Sequence, residues 1–214
     1  RNDAAAIQAA CDAAPIVYFP PPDSAYVVNT TVTCEDNYLV GPNRANNDAR
    51  LGMAKLVTWA KADQKMLYFT GDSGGMDGLA IQGDNEGSQP LVTFGNGTDW
   101  MADGRISNCW FQNGSSQLVL NKCQGFFVND AVFDNSADIG VALNGAPNLL
   151  FANNRVCQAD NTGIKIYGEG NYNLLIRGNV IDCSAGPPTS HYPTYAYNWS
   201  LHSGIWITDC YGSV

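Results

Sequence analysis

A repeat of roughly 23 residues runs through the C-terminal two-thirds of this 214-residue chain. Four segments fall under one another: 108–113 NCWFQN, 130–135 DAVFDN, 154–159 NRVCQA and 179–184 NVIDCS, their openings separated by steps of 22, 24 and 25. Each opens on Asn or Asp, passes through apolar residues and turns polar. A weaker copy, 78–83 GLAIQG, precedes the first by a longer step, from position 78 to position 108. A second ladder, 118–121 LVLN, 141–144 VALN, 164–167 IKIY and 205–208 IWIT, has spacings of 23, 23 and 41. A third comprises 125–128 GFFV, 148–151 NLLF and 173–176 NLLI. Such a period means a solenoid, in which each unit buries its apolar face only against its neighbours.

Within one repeat the segments 148–151, 155–157 and 164–167 read as strands, parted by an Asn153-Asn154 turn and a loop at 158–163. Three short strands per turn and no helix-length segment indicate an all-β parallel β-helix. A leucine-rich repeat shares the period, but its fixed Leu frame and helical return are missing. Asn suits a tight corner because it tolerates left-handed backbone and its amide can bond the equivalent residue one coil away. The series Asn108, Asp130, Asn154 and Asn179 therefore reads as a structural ladder rather than a catalytic one.

Residues 3–14, DAAAIQAACDAA, form the one convincing helix, with Asp3 or Asn2 as N-cap, an Ile7, Ala10, Cys11, Ala14 stripe, and Pro15 as its stop. Its expected use is to cap the open end of the core. Strands follow at 16–19, 25–28, 30–34, 37–41, 55–59 and 66–70, interrupted by an Asn/Arg-rich loop at 42–52. The chain reads as a single β-helix domain over 1–214, with the cap and irregular coils in 1–75 and regular coils in 76–214. The opening RNDAAAIQAA reads like an interior segment and the end stops just after a strand, so both ends are expected to continue.

Eleven basic and twenty acidic side chains give a net charge of −9, a poor match to nucleic-acid phosphates. No apolar run approaches the ~20 residues of a membrane span. The seven cysteines show no metal-binding spacing, and no metal or cofactor is expected. Cys109, Cys157 and Cys183 fall on apolar repeat segments and read as buried thiols; Cys11 with Cys34 is the one pair placed to bridge.

The stretch DAAAIQAACDAAPIVYFPPPDSAYVV resembles the opening of the pectate-lyase-like right-handed parallel β-helix proteins, in which a capping helix leads to a VYFPPG-Y strand. The segment 77–84 DGLAIQGD resembles the GLTIDG strand of tailspikes, and the corner asparagines resemble that group's Asn ladder. The resemblance is closest to bacteriophage tailspikes and polysaccharide depolymerases. It implies a homotrimeric virion-tail protein that binds host surface polysaccharide, with or without cleaving it. The alternatives are a monomeric secreted polysaccharide lyase or glycoside hydrolase, and a non-catalytic adhesive β-helix. The chain departs from the pattern where Pro22-Asp23 replaces the Gly after the prolines. The polygalacturonase signature is also missing, since 161–164 reads NTGI and 202–204 reads HSG.

The step from 23 to 41 inserts about 18 residues ahead of Ile205, in a loop holding both histidines of the chain. From this loop Tyr195, Tyr197, Trp199 and His202 are candidate saccharide contacts, because aromatic faces suit the C–H faces of sugar rings. The competing reading packs them on the coil or against a neighbouring subunit. With Ile164, Ile166, Ile205 and Ile207 inward, alternation turns Lys165, Tyr167, Trp206 and Thr208 outward, Lys165 and Trp206 one coil (~5 Å) apart. Glu169 and Asp209 close equivalent strands and are the preferred catalytic carboxyls, with Asp182 beside them. Asp77, Asp84 and Glu86 read as a solvated turn, and Asp130, Asp134 and Asp138 match no recognised metal loop.

Overall fold

The helix Ala4–Ala13 is capped by the Asn2 side chain, while its N-cap residue Asp3 makes no side-chain cap bond and ties the helix to the neighbouring strand. Asn2 Oδ1 accepts the N–H groups of Ala4 (3.2 Å) and Asn29 (3.1 Å). Asp3 exchanges bonds with Val27, its N–H reaching Val27 O at 2.6 Å and its Oδ2 accepting the Val27 N–H at 2.9 Å. Ala14 is extended, as a residue before proline tends to be. Ala4, Ile7 and Cys11, spaced three and four apart, form the buried stripe. Beside it the Gln8 amide bonds both the N–H and the C=O of Thr33 at 2.8 Å, extending the open sheet edge by one rung. The helix is thus a cap in hydrogen bonds as well as in shape.

The computed structural model describes residues 2–21, 24–42, 53–58, 64–84, 88–182 and 203–207. Its strands wind into a parallel β-helix. One wall is a seven-stranded sheet of Ile16–Tyr18, Tyr38–Val40, Gly75–Asp77, Arg105–Ser107, Phe127–Asn129, Leu150–Ala152 and Leu175–Arg177, one strand per coil. The other is a twelve-stranded sheet with two legs. Its first leg ends in Arg155–Ala159 and Val180–Asp182, its second in Thr162–Tyr167 and Ser203–Ile207. Trp110–Asn121 and Val132–Asn144 run through both legs, with a register shift between Gly114 and Ser116. Among the described residues no helix is long and apolar enough to cross a membrane.

Because each coil stacks in register on the next, like side chains form columns in the core. Phe69 and Phe94 stack at 4.1 Å, Phe94 meets Phe126 edge-on at 5.0 Å, and Phe111 stacks on Phe133 at 4.8 Å. Asparagines form columns at the corners. Asn135 donates to Asn113 (2.7 Å), Asn144 to Asn121 (3.1 Å) and Asn173 to Asn148 (3.0 Å).

Two expectations need correcting. The left-handed corner column is Asn108, Asp130, Asn153 and Gly178, with φ of 51°, 55°, 57° and 64°. Asn154 and Asn179 stand one residue later and do a different job. Asn154 Oδ1 accepts the Ala131 N–H at 2.9 Å and its Nδ2 donates to Val128 O; Asn179 repeats this with Asn154 N–H and Phe151 O. They satisfy backbone between coils, while the left-handed position passes to Asn, Asp or Gly, which tolerate it. The Cys11–Cys34 bridge is also absent. Both residues are free, their sulfurs 3.8 Å apart, far beyond the ~2.05 Å of a disulfide. The contact is a thiol hydrogen bond that lowers the Cys11 pKa and raises that of Cys34. Cys183 and Cys210 lie outside the described residues.

Candidate functional site

Thr162–Tyr167 opens fully buried and then alternates between core and surface over its last four residues. Ile164 and Ile166 are buried, and Lys165 and Tyr167 project from the opposite side, half-buried. Ser203–Ile207 lies one coil on, pairing Ile164 with Ile205, Lys165 with Trp206 and Ile166 with Ile207. Ile205 and Ile207 continue the core columns by register but stay exposed, as members of the outermost described strand.

The outer face gathers a cation and two aromatic rings. Lys165 Nζ lies 4.8 Å from the Trp206 ring centroid and 5.2 Å from that of Tyr167. Trp206, on the same outermost described strand, is 44% exposed. Burial raises the Tyr167 pKa, which keeps the phenol protonated and able to donate a hydrogen bond. The rings offer flat apolar area with a polar edge, and the ammonium offers a charge for an anionic group.

The candidate carboxyls are less well gathered. Glu169 is exposed in the turn just after Tyr167. Asp182 is exposed on the first leg, in register with Cys157. The strand Thr162–Tyr167 separates the two, a length of roughly 16 Å at ~3.3 Å per residue. Glycoside hydrolysis needs carboxyls about 5–9.5 Å apart, so Glu169 and Asp182 do not make that pair. Asp209, Tyr195, Tyr197, Trp199 and His202 lie outside the described residues, as does Glu86.

Asp77, Asp130, Asp134 and Asp138 are engaged in hydrogen bonds within the fold. Asp77 Oδ1 accepts from Ser107 and Asn108, both at 2.8 Å. Asp130, Asp134 and Asp138 accept from Asn129, Gln112 and Asn161 respectively. Among the described residues no three His, Cys, Asp or Glu side chains gather to hold a metal.

The family model described as the right handed beta helix region matches residues 68–214. This chain belongs to the right-handed β-helix family. Comparison with the curated proteins and with the solved structures gave no match. A right-handed β-helix is consistent with polysaccharide binding, polysaccharide degradation or adhesion, and the choice among them rests on the site.

One surface residue of this β-helix escaped the sequence reading. The step from position 78 to position 108 exceeds the following one, from 108 to 130, by eight. Register shows where the excess goes. Gln82 and Val92 pair with Gln112 and Leu118, ten steps against six; Phe94 and Met101 pair with Leu120 and Cys123, seven against three. Each gap absorbs four extra residues. The second becomes the loop 95–100, which presents Trp100 at 45% exposure. The long step ahead of position 108 was the available signal.

Proposed function

We propose that this β-helix recognises an acidic polysaccharide of a cell surface through Lys165, Tyr167 and Trp206, as the receptor-binding part of a homotrimeric phage tailspike or tail fibre. The observation that carries the reading is the Lys165 ammonium set between two aromatic rings on one outward face. At a net charge of −9 an anionic polymer is repelled overall, so it must be held where a cation is presented locally. The virion setting is supported by the tailspike-like opening at 3–28 and by the DGLAIQGD segment.

Isothermal titration with uronate-containing capsular oligosaccharides tests the site. Loss of a cation or of a stacking ring costs about 1–2 kcal/mol, so Lys165→Ala and Trp206→Ala are each expected to weaken binding about 5- to 30-fold. Wild-type affinity in both variants would remove this face from recognition. Native mass spectrometry tests assembly, and a single-chain mass would refute the trimer.

A second reading is favoured by Glu169, exposed two residues past Tyr167: the same surface cleaves what it binds. Reducing ends released by wild-type protein, and lost in Glu169→Ala, would establish a depolymerase. Ultraviolet absorbance from an unsaturated uronate would distinguish lyase from hydrolase. No release by the wild type would leave an adhesin.

A further inference from the structure

We propose that the loop 95–100 builds a second saccharide subsite, which takes a neutral hexopyranose unit on the ring of Trp100. The proposal rests on the polysaccharide reading for its class of ligand, but on none of the residues of the Lys165 face.

A single exposed tryptophan means little on a protein surface. The loop that carries this one is held in place by bonds along its length. Asn96 Oδ1 accepts the N–H groups of Thr98 (2.7 Å) and Asp99 (2.8 Å) and the Thr98 hydroxyl, while its Nδ2 donates to Asp99 Oδ2 at 3.0 Å. Lys122 Nζ, one coil on, donates to Thr98 O at 2.9 Å. After the loop, Met101 N–H bonds Lys122 O and Ala102 N–H bonds Asp72 O. The ring then reaches the turn that carries Glu169. A Cβ built on Gly170 would stand 3.1 Å from Trp100 Cη2, and Gly170 has φ +84°, so glycine serves both the turn and the close approach. A ring ordered before binding loses little entropy on stacking.

Beside the ring is a pocket of about 250 Å³ whose lining includes Thr70, Asp72, Asn96, Asp99 and Trp100. That is below the ~300–1,000 Å³ of drug-sized sites and suited to one sugar ring. Asp99 Oδ2 accepts from Asn96, and Asp72 and Asp99 bring two carboxylates to the lining of this pocket as acceptors for a ligand's hydroxyls. Carboxylate acceptors beside an aromatic floor fit a neutral polyol ring. Among the described residues no Lys or Arg lines the pocket, and two carboxylates repel a uronate. The two sites differ in sign, and the Gly168–Gly170 turn lies between Tyr167 and Trp100. A heteropolysaccharide carrying acidic and neutral units is the polymer that would use both.

The test is a set of titrations followed by saturation-transfer NMR, using neutral tetrasaccharides of glucose, mannose and galactose against a tetragalacturonate. At least one neutral tetrasaccharide is expected to bind. Trp100→Ala should weaken it at least tenfold, and Trp100→Phe should recover most of the loss. Because Trp100 is nearly half exposed, Trp100→Ala should melt close to wild type, which separates lost binding from lost folding. Failure of every neutral tetrasaccharide to bind, or wild-type affinity in Trp100→Ala, would overturn the subsite. Binding of tetragalacturonate alone overturns it while sparing the Lys165 face. Neutral binding lost only in Trp100→Ala, with no tetragalacturonate bound, upholds the subsite and sinks the acidic reading.

Discussion

Phe94→Ala is expected to lower the unfolding free energy by about 3–5 kcal/mol, the range for deleting a fully buried phenylalanine. Phe94 is wholly buried, stacks on Phe69 at 4.1 Å and 7°, and meets Phe126 at 5.0 Å and 72°. It therefore touches the coil on either side of its own. In a solenoid, stability is close to a sum of units and nearest-neighbour interfaces, so a cavity here weakens two interfaces at once. Guanidinium denaturation followed by circular dichroism should show a lower midpoint and a broadened or split transition, as coils before and after residue 94 uncouple. Binding should suffer too, because the Trp100 loop begins at Gly95, whose N–H bonds Phe69 O at 3.0 Å. A loss below about 1 kcal/mol with an unchanged slope would mean that the aromatic column does not couple the coils.

The same column shows how far the sequence could be read. A period near 23 identifies the solenoid because every coil must present an apolar strand at the same angle. Alternation within Ile164-Lys165-Ile166-Tyr167, carried across the long step to Ile205, places Lys165 against Trp206, as the register does. Alternation survives an insertion because a strand returning to the stack must turn its apolar side inward. Corners are less legible. Asn153-Asn154 and Gly178-Asn179 each offer adjacent residues fit for the turn, and periodicity cannot say which one takes positive φ. Nor can it locate an insertion inside a coil: the excess of eight before residue 108 is plain, but only strand pairing divides it and delivers four residues to the Trp100 loop. Glu169 and Asp182 are near in sequence and far in space, since Asp182 stacks on Cys157 while Glu169 follows the far end of Thr162–Tyr167. The cap helix was legible because Pro15 and a three-four apolar spacing are local signals. The Cys11–Cys34 contact was legible as proximity, not as a bond.

Raising the pH above about 9 is expected to destabilise the fold through Cys109 and Cys123. Burial pushes both thiols up to about 12 from an ordinary value of 9.0. Between those values the unfolded chain gives up its thiol protons while the fold keeps them, so the unfolded state binds fewer protons and stability falls as pH rises. Below pH 9 both states hold the proton and the contribution is intact. Each thiol can remove at most about 1.4 kcal/mol per pH unit, or about 4 kcal/mol across the window. The structural cause is the stacking that makes the coils. Cys123 is fully buried, with its Sγ 3.5 Å from Phe94 O, and Cys109 Sγ is 3.2 Å from Ser107 O. A thiolate at either place would face carbonyl oxygens with no water to solvate it. Urea midpoints measured from pH 8 to 11 should decline, and the decline should flatten in the Cys109→Ala, Cys123→Ala double variant, which removes both titrations whatever its own stability. Burial also pushes the Cys157 thiol up to about 12, so the difference in slope between wild type and double variant is the decisive quantity. Identical slopes would mean that these thiols reach water without unfolding, and that the coils open locally at Phe94 and Ser107 more readily than their stacking implies.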